Sequence, residues 1–74
     1  MSAHPGHITF YEGARVVSVA AASSVPDAVR FAPGPRGLVP VVKVVATGSG
    51  EQRCIHEYGP DGALLRTTLM RRSA

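Results

Sequence analysis

The chain has one cysteine, no tryptophan, four aromatic residues and five acidic ones. Each scarcity excludes something. A lone Cys54 rules out a disulfide within the chain. One Cys with three scattered histidines is a poor supply for a structural zinc site, which takes four ligands. Glu12, Asp27, Glu51, Glu57 and Asp61 are dispersed along the sequence and form no pair placed for acid–base work. No glycine cluster ends in a lysine, so no phosphate-binding loop is present. No stretch approaches the ~20 apolar residues that span a bilayer as a helix. The apolar segment Val16–Ala22 is short, and the polar region before it does not resemble the start of a secretory signal.

What is there is small and β-branched. Ten valines and ten alanines dominate the apolar residues, and valine suits a pleated, half-buried surface. A chain of 74 residues is enough for one domain, whose small core leaves a thin margin of stability. Domains of this size add a staple, and with disulfide and zinc set aside the remaining one is self-association. The net charge of +3 admits an acidic partner without requiring one.

Turn chemistry divides the chain. Residues 1–6 read as a flexible lead-in, residues 7–70 as a single β domain, and residues 71–74 as a basic tail. His7–Glu12 and Arg15–Ala21 favour strands around Gly13. Ser24, Pro26 and Asp27 suit one short helical turn, after which residues 28–32 are helix or strand. Pro33-Gly34-Pro35-Arg36-Gly37 is a turn. Leu38–Thr47, Glu51–Tyr58 and Ala63–Met70 read as a three-strand antiparallel meander, joined at Gly48-Ser49-Gly50 and Gly59-Pro60-Asp61-Gly62. The expected fold is mainly β: five to six short strands in a curled sheet or small barrel, with at most one short helical turn. The segment Tyr58–Arg66, Tyr-Gly-Pro-Asp-Gly-Ala-Leu-Leu-Arg, resembles the hairpins of tyrosine–aspartate repeat proteins over a single turn that occurs once. The likeness is one of hairpin chemistry and assigns no family.

Loop lengths predict a register. A loop of Pro60, Asp61 and Gly62 sets Tyr58 opposite Leu64, His56 opposite Arg66 and Cys54 opposite Thr68. A Ser49-Gly50 loop sets Lys43 opposite His56, Val41 opposite Tyr58 and Val45 opposite Cys54. Lys43, His56 and Arg66 then form a basic row on an outer face that also shows Val41, Val45, Tyr58 and Leu64. The opposite face, with Val44, Ile55, Leu65, Thr67 and Leu69, is the expected core. A loop of Gly48, Ser49 and Gly50 gives another register and scatters the basic row.

The candidate chemistry is modest. Cys54 and His56 share a strand face about 6.5–7 Å apart, without a third orienting group. A cysteine in a valine-rich strand is ordinarily a small hydrophobe. His4 and His7 are spaced H-x-x-H, and a chain starting at Ser2 would present Ser2-Ala3-His4 to Cu(II) or Ni(II), a pattern that also arises by chance in a polar tail. The sequence therefore leads us to expect no enzyme, no metal and no cofactor. It leads us to expect a cytoplasmic, soluble, non-enzymatic protein-binding module that self-associates, as an accessory or inhibitor protein of a phage or other mobile element does. The partner is then a protein or a second copy, with no membrane and no small-molecule substrate. Lys43, His56, Tyr58, Arg66, Val41, Val45, Arg71 and Arg72 are the expected binding residues, and Leu38–Val45 is the expected edge for strand addition. The alternative is a small β-barrel that binds nucleic acid through its basic face, with Phe10, Tyr11 or Tyr58 stacking on bases.

Overall fold

A computed structural model describes residues 6–48 and 50–71. It is mainly β, with seven short strands: β1 (His7–Glu12), β2 (Arg15–Ala21), β3 (Phe31–Gly34), β4 (Gly37–Pro40), β5 (Lys43–Thr47), β6 (Gln52–Tyr58) and β7 (Leu64–Arg71). A 3-10 turn at Ala22–Ser24 and a single helical turn, α1 (Asp27–Arg30), follow β2. Five strands form one mixed sheet in the order β2-β1-β5-β6-β7, and β3-β4 is a separate hairpin. The sheet is open, with two free edges, so the curled or barrel form expected from the sequence is not what these residues build. No helix among the described residues is long and apolar enough to cross a membrane.

Local chemistry accounts for the hairpins. Gly13 takes φ +61 at the first central position of the β1–β2 turn, where a II′ turn calls for glycine. At the β6–β7 turn Gly62 adopts φ +83, and Gly59 N–H donates to Ala63 O at 3.0 Å. The Asp61 carboxylate accepts from Ala63 N–H at 3.1 Å. This turn forms as its sequence predicts.

The central departure is the parallel pairing of β1 with β5, which sets Phe10 beside Val44 and Thr9 beside Lys43. Residues 22–42 join the end of β2 to the start of β5 past β1, leaving and re-entering the sheet at the same end, where Ala21 pairs with His7 and Lys43 with Thr9. This crossing carries α1 and the β3–β4 hairpin and lays them over one face. Ala32 and Val41 from the crossing bury against Ile8 and Val44 of the sheet, with Phe10, Ala22, Val25, Ile55 and Leu65 packed around them. The crossing also explains why Leu38–Thr47 is not one strand. Leu38, Val39 and Pro40 pair with β3, and the chain then turns so that Val41 N–H donates to Arg30 O and Val42 N–H to Tyr58 O. Val41, expected on an outer face, is a core residue at 1% exposure. Leu38–Val45 is likewise not an edge of the main sheet. Its β5 part lies in the centre, and the edges are β2 and β7.

The meander β5-β6-β7 exists, but in a shifted register. Lys43 pairs with Tyr58, Val45 with His56 and Thr47 with Cys54, two positions from the expected pairing, so side chains of β5 and β6 keep their faces. Between β6 and β7 a bulge at Glu57/Tyr58 intervenes. Tyr58 pairs with Leu64 as predicted, but Glu57 then pairs with Arg66, His56 with Thr67 and Cys54 with Leu69. One extra residue moves everything after it to the other side of the sheet.

Candidate functional site

The two faces of the sheet are unlike. The crossing covers one. No element among the described residues packs over the other, which is the candidate site. Its residues follow from the registers. Val19, Thr9, Lys43, Tyr58 and Leu64 lie in one row across the five strands, and Val16, Tyr11, Val45, His56 and Thr67 in the next. Thr47, Cys54 and Leu69 follow, then Gln52 and Arg71.

Lys43 stands on the middle strand, in the first of these rows. Its ammonium lies 4.9 Å from the centroid of the Tyr11 ring and 5.4 Å from that of Tyr58. Both distances are within the range at which an aromatic quadrupole attracts a cation. β1 and β6 flank β5 and bring one ring to each side. Lys43 is exposed while both tyrosines are half-buried, so the rings position the ammonium at the surface of the face.

His56 is held in the next row. One imidazole nitrogen lies 3.1 Å from the Thr47 hydroxyl and the other 3.2 Å from the Thr67 hydroxyl. The ring thus bridges β5 and β7, with each nitrogen donating or accepting according to its tautomer. Both nitrogens are occupied by hydroxyls, and the imidazole is turned to its cross-strand neighbours instead of to Cys54. Cys54 is a half-buried free thiol. No group of three or more His, Cys, Asp or Glu among the described residues is placed to hold a metal ion. His4 of the H-x-x-H spacing lies outside the described residues, as do Ser2 and Ala3.

The rest of the face is apolar. Val19, Leu64 and Leu69 are each more than half exposed, beside the half-buried Val45 and Cys54. All five acidic residues lie elsewhere. Glu12 pairs with Arg15 and Arg53, Asp27 with Arg30, and Glu51 and Asp61 sit in turns. Glu57 is on the covered face, so among the described residues the open face has cations and no carboxylate.

The predicted row of Lys43, His56 and Arg66 is not formed. Lys43 is one row away from His56, and the bulge sends Arg66 to the covered face. There the guanidinium makes a two-pronged ion pair with Glu57 and donates to Ala28 O at 2.9 Å. Glu57 is 5% exposed, and its hydrogen bond pushes the Arg66 pKa above the ordinary arginine value. Burial acts the other way, and Coulomb attraction to Glu57 adds to the rise. The pair fastens β6 and β7 to the helical turn. Thr67 and Leu69, expected in the core, are exposed on the open face. Of the expected binding residues, Lys43, Val45, His56, Tyr58 and Arg71 therefore share the open face. Val41 and Arg66 belong to the covered side, and Arg72 lies outside the described residues.

Sequence reasoning missed Thr47, Thr67 and Leu69 as members of this face, and named Tyr11 only as one of three aromatic residues that could stack on bases. One signal was available. Glu57 sits among apolar residues and needed a buried cation, and only a one-residue slip brings Arg66 opposite it. Comparison with family models, with curated proteins and with solved structures finds no match to this chain.

Proposed function

We propose that the protein is a non-enzymatic protein-binding module whose binding surface is the open face of the five-stranded sheet. The observation that carries this reading is Lys43, clasped by Tyr11 and Tyr58 amid exposed Val19, Leu64 and Leu69. Aromatic residues set in apolar surface are the composition of interface centres. An apolar surface left open in this way marks an interaction site. The charge decides the kind of partner. A second copy laid face to face brings Lys43 against like charge, whereas a protein segment with an acidic residue beside apolar ones matches both features. The partner is therefore an acidic, partly apolar protein segment.

The nucleic-acid reading rested on a basic row. With Arg66 neutralised by Glu57 on the far side, Lys43 and Arg71 stand at opposite ends of the face. About 20 Å of strand separates their rows, and among the described residues no groove of positive charge joins them.

The test is selection from a random displayed-peptide library against the immobilised protein. The affinity of the selected peptides is then measured for wild type, Lys43→Glu and Leu69→Asp, with a mixed-sequence oligonucleotide run in parallel. The expected peptides carry an acidic residue next to apolar ones and lose at least tenfold in affinity for both variants. An oligonucleotide that binds with a steep salt dependence, with no peptide selected, would overturn this reading in favour of nucleic acid.

A further inference from the structure

The two edges of the sheet differ. Strand β7 carries Arg66 and Arg71 among its eight residues, and charge along an edge discourages pairing with another chain. Strand β2 has no charge along its middle, and its one irregularity is a bulge at Val17, where the pairing with Phe10 and Tyr11 shifts by one. From Val16 to Ala21 it reads Val-Val-Ser-Val-Ala-Ala, without charge or proline, and Val16, Val17 and Val19 are each at least half exposed. Its one charge, Arg15, lies at the extreme end and is tied to Glu12 at 3.3 Å.

The backbone phase shows which groups of β2 are free. Ala22 N–H donates to Gly6 O at 3.0 Å. Antiparallel pairs alternate between bonded and non-bonded, so Ala20 and Ser18 turn their polar groups toward β1. Val19 and Ala21 turn theirs outward. Thr9, which faces Val19, agrees: its N–H is directed to Val42 O at 3.0 Å, on the β5 side.

We infer that β2 pairs antiparallel with β2 of a second copy across a two-fold axis at Val19, joining two five-stranded sheets into one. Val19 is the outward-directed residue nearest the middle of the uncharged stretch. With the axis there, Val19 meets Val19 of the second copy and exchanges two backbone hydrogen bonds with it. Ser18 then lies opposite Ala20, and the ladder runs out at the Val17 bulge and at the 3-10 turn that begins at Ala22, so Arg15 stands beyond it and no like charges oppose each other. The same operation on β7 brings four arginines into one short ladder. A two-fold axis perpendicular to the sheet keeps both open faces on one side. The rows through Lys43, Thr9 and Val19 become continuous across the axis, and the dimer presents twice the open face. The inference rests on the edge and stands whether or not that face binds a protein. The edge adds little buried area beyond one strand pair, so the dimer forms in a concentration-dependent equilibrium.

The test is sedimentation velocity over a concentration series for wild type, Ala21→Pro, Val19→Lys and Leu69→Lys, with amide hydrogen exchange on the wild-type dimer. Ala21 already has φ −62, the value proline requires, and its N–H is not used by β1. Proline there removes the outward donor and leaves the fold in place. Val19→Lys sets two lysines against each other on the axis through a side chain that is exposed in the single copy. Wild type is expected to dimerise with rising concentration, Ala21→Pro and Val19→Lys to stay monomeric, and Leu69→Lys on β7 to dimerise as wild type does. The Val19 and Ala21 amides are expected to gain protection with dimerisation. A wild type that stays monomeric throughout the series overturns the inference. So does a dimer that survives both β2 substitutions, or protection of these amides in a monomer.

Discussion

The two faces of one sheet, built from the same strands, have opposite characters. On the covered face Ile8 and Val44 pack under Ala32 and Val41, and the one buried carboxylate, Glu57, meets Arg66. On the open face a lysine is held between two tyrosines and apolar side chains remain in solvent. Both faces contain charge, but only the covered one neutralises it. The covered face uses an ion pair to fasten layers together, and the open face leaves a cation available. The connection from β2 to β5 causes the difference, because a single connection covers only one side.

Substitutions on the covered face should therefore cost folding free energy, and those on the open face should not. The largest loss is expected from Arg66→Ala, which strands Glu57 without its partner. The pair is buried only on the Glu57 side, with the Arg66 side chain 35% exposed, so the cost is about 3 kcal/mol, the low end for breaking a buried pair from one side, read as a fall in the urea midpoint. Ile8→Ala, at a fully buried position, should follow at about 3 kcal/mol in the same titration. Lys43→Ala removes two exposed cation–π contacts and should cost about 0.5–1 kcal/mol while weakening partner binding. Leu69→Asp, at a residue 60% exposed, should change the midpoint by no more than about 0.5 kcal/mol. A loss for Leu69→Asp equal to that of Ile8→Ala would mean that the two faces are equally buried.

The hairpin turns were legible in the sequence because their signals are local. Gly13, Gly62 and the Pro60-Asp61 step each dictate a backbone conformation within a few residues. The face of each β5 and β6 side chain was also legible, since a register error of two positions leaves the alternation intact. The bulge at Glu57/Tyr58 was not, because one inserted residue changes the face of every position from Arg66 onward without changing composition. The parallel pairing of β1 with β5 was hidden for another reason. It joins residues far apart in the chain, and no turn residue marks it. The valine run misled at Val41 because a buried bend and a buried strand draw on the same apolar residues.

Binding on the open face can be followed by adding a selected acidic peptide and recording side-chain NMR signals on the two sides of β6 and its neighbours. The ring signals of His56, Tyr58 and Tyr11 are expected to move with peptide concentration while the methyl signals of Ile55, Leu65 and Val44 stay in place. Movement confined to the Ile55, Leu65 and Val44 methyls would contradict it and place the binding surface on the covered side.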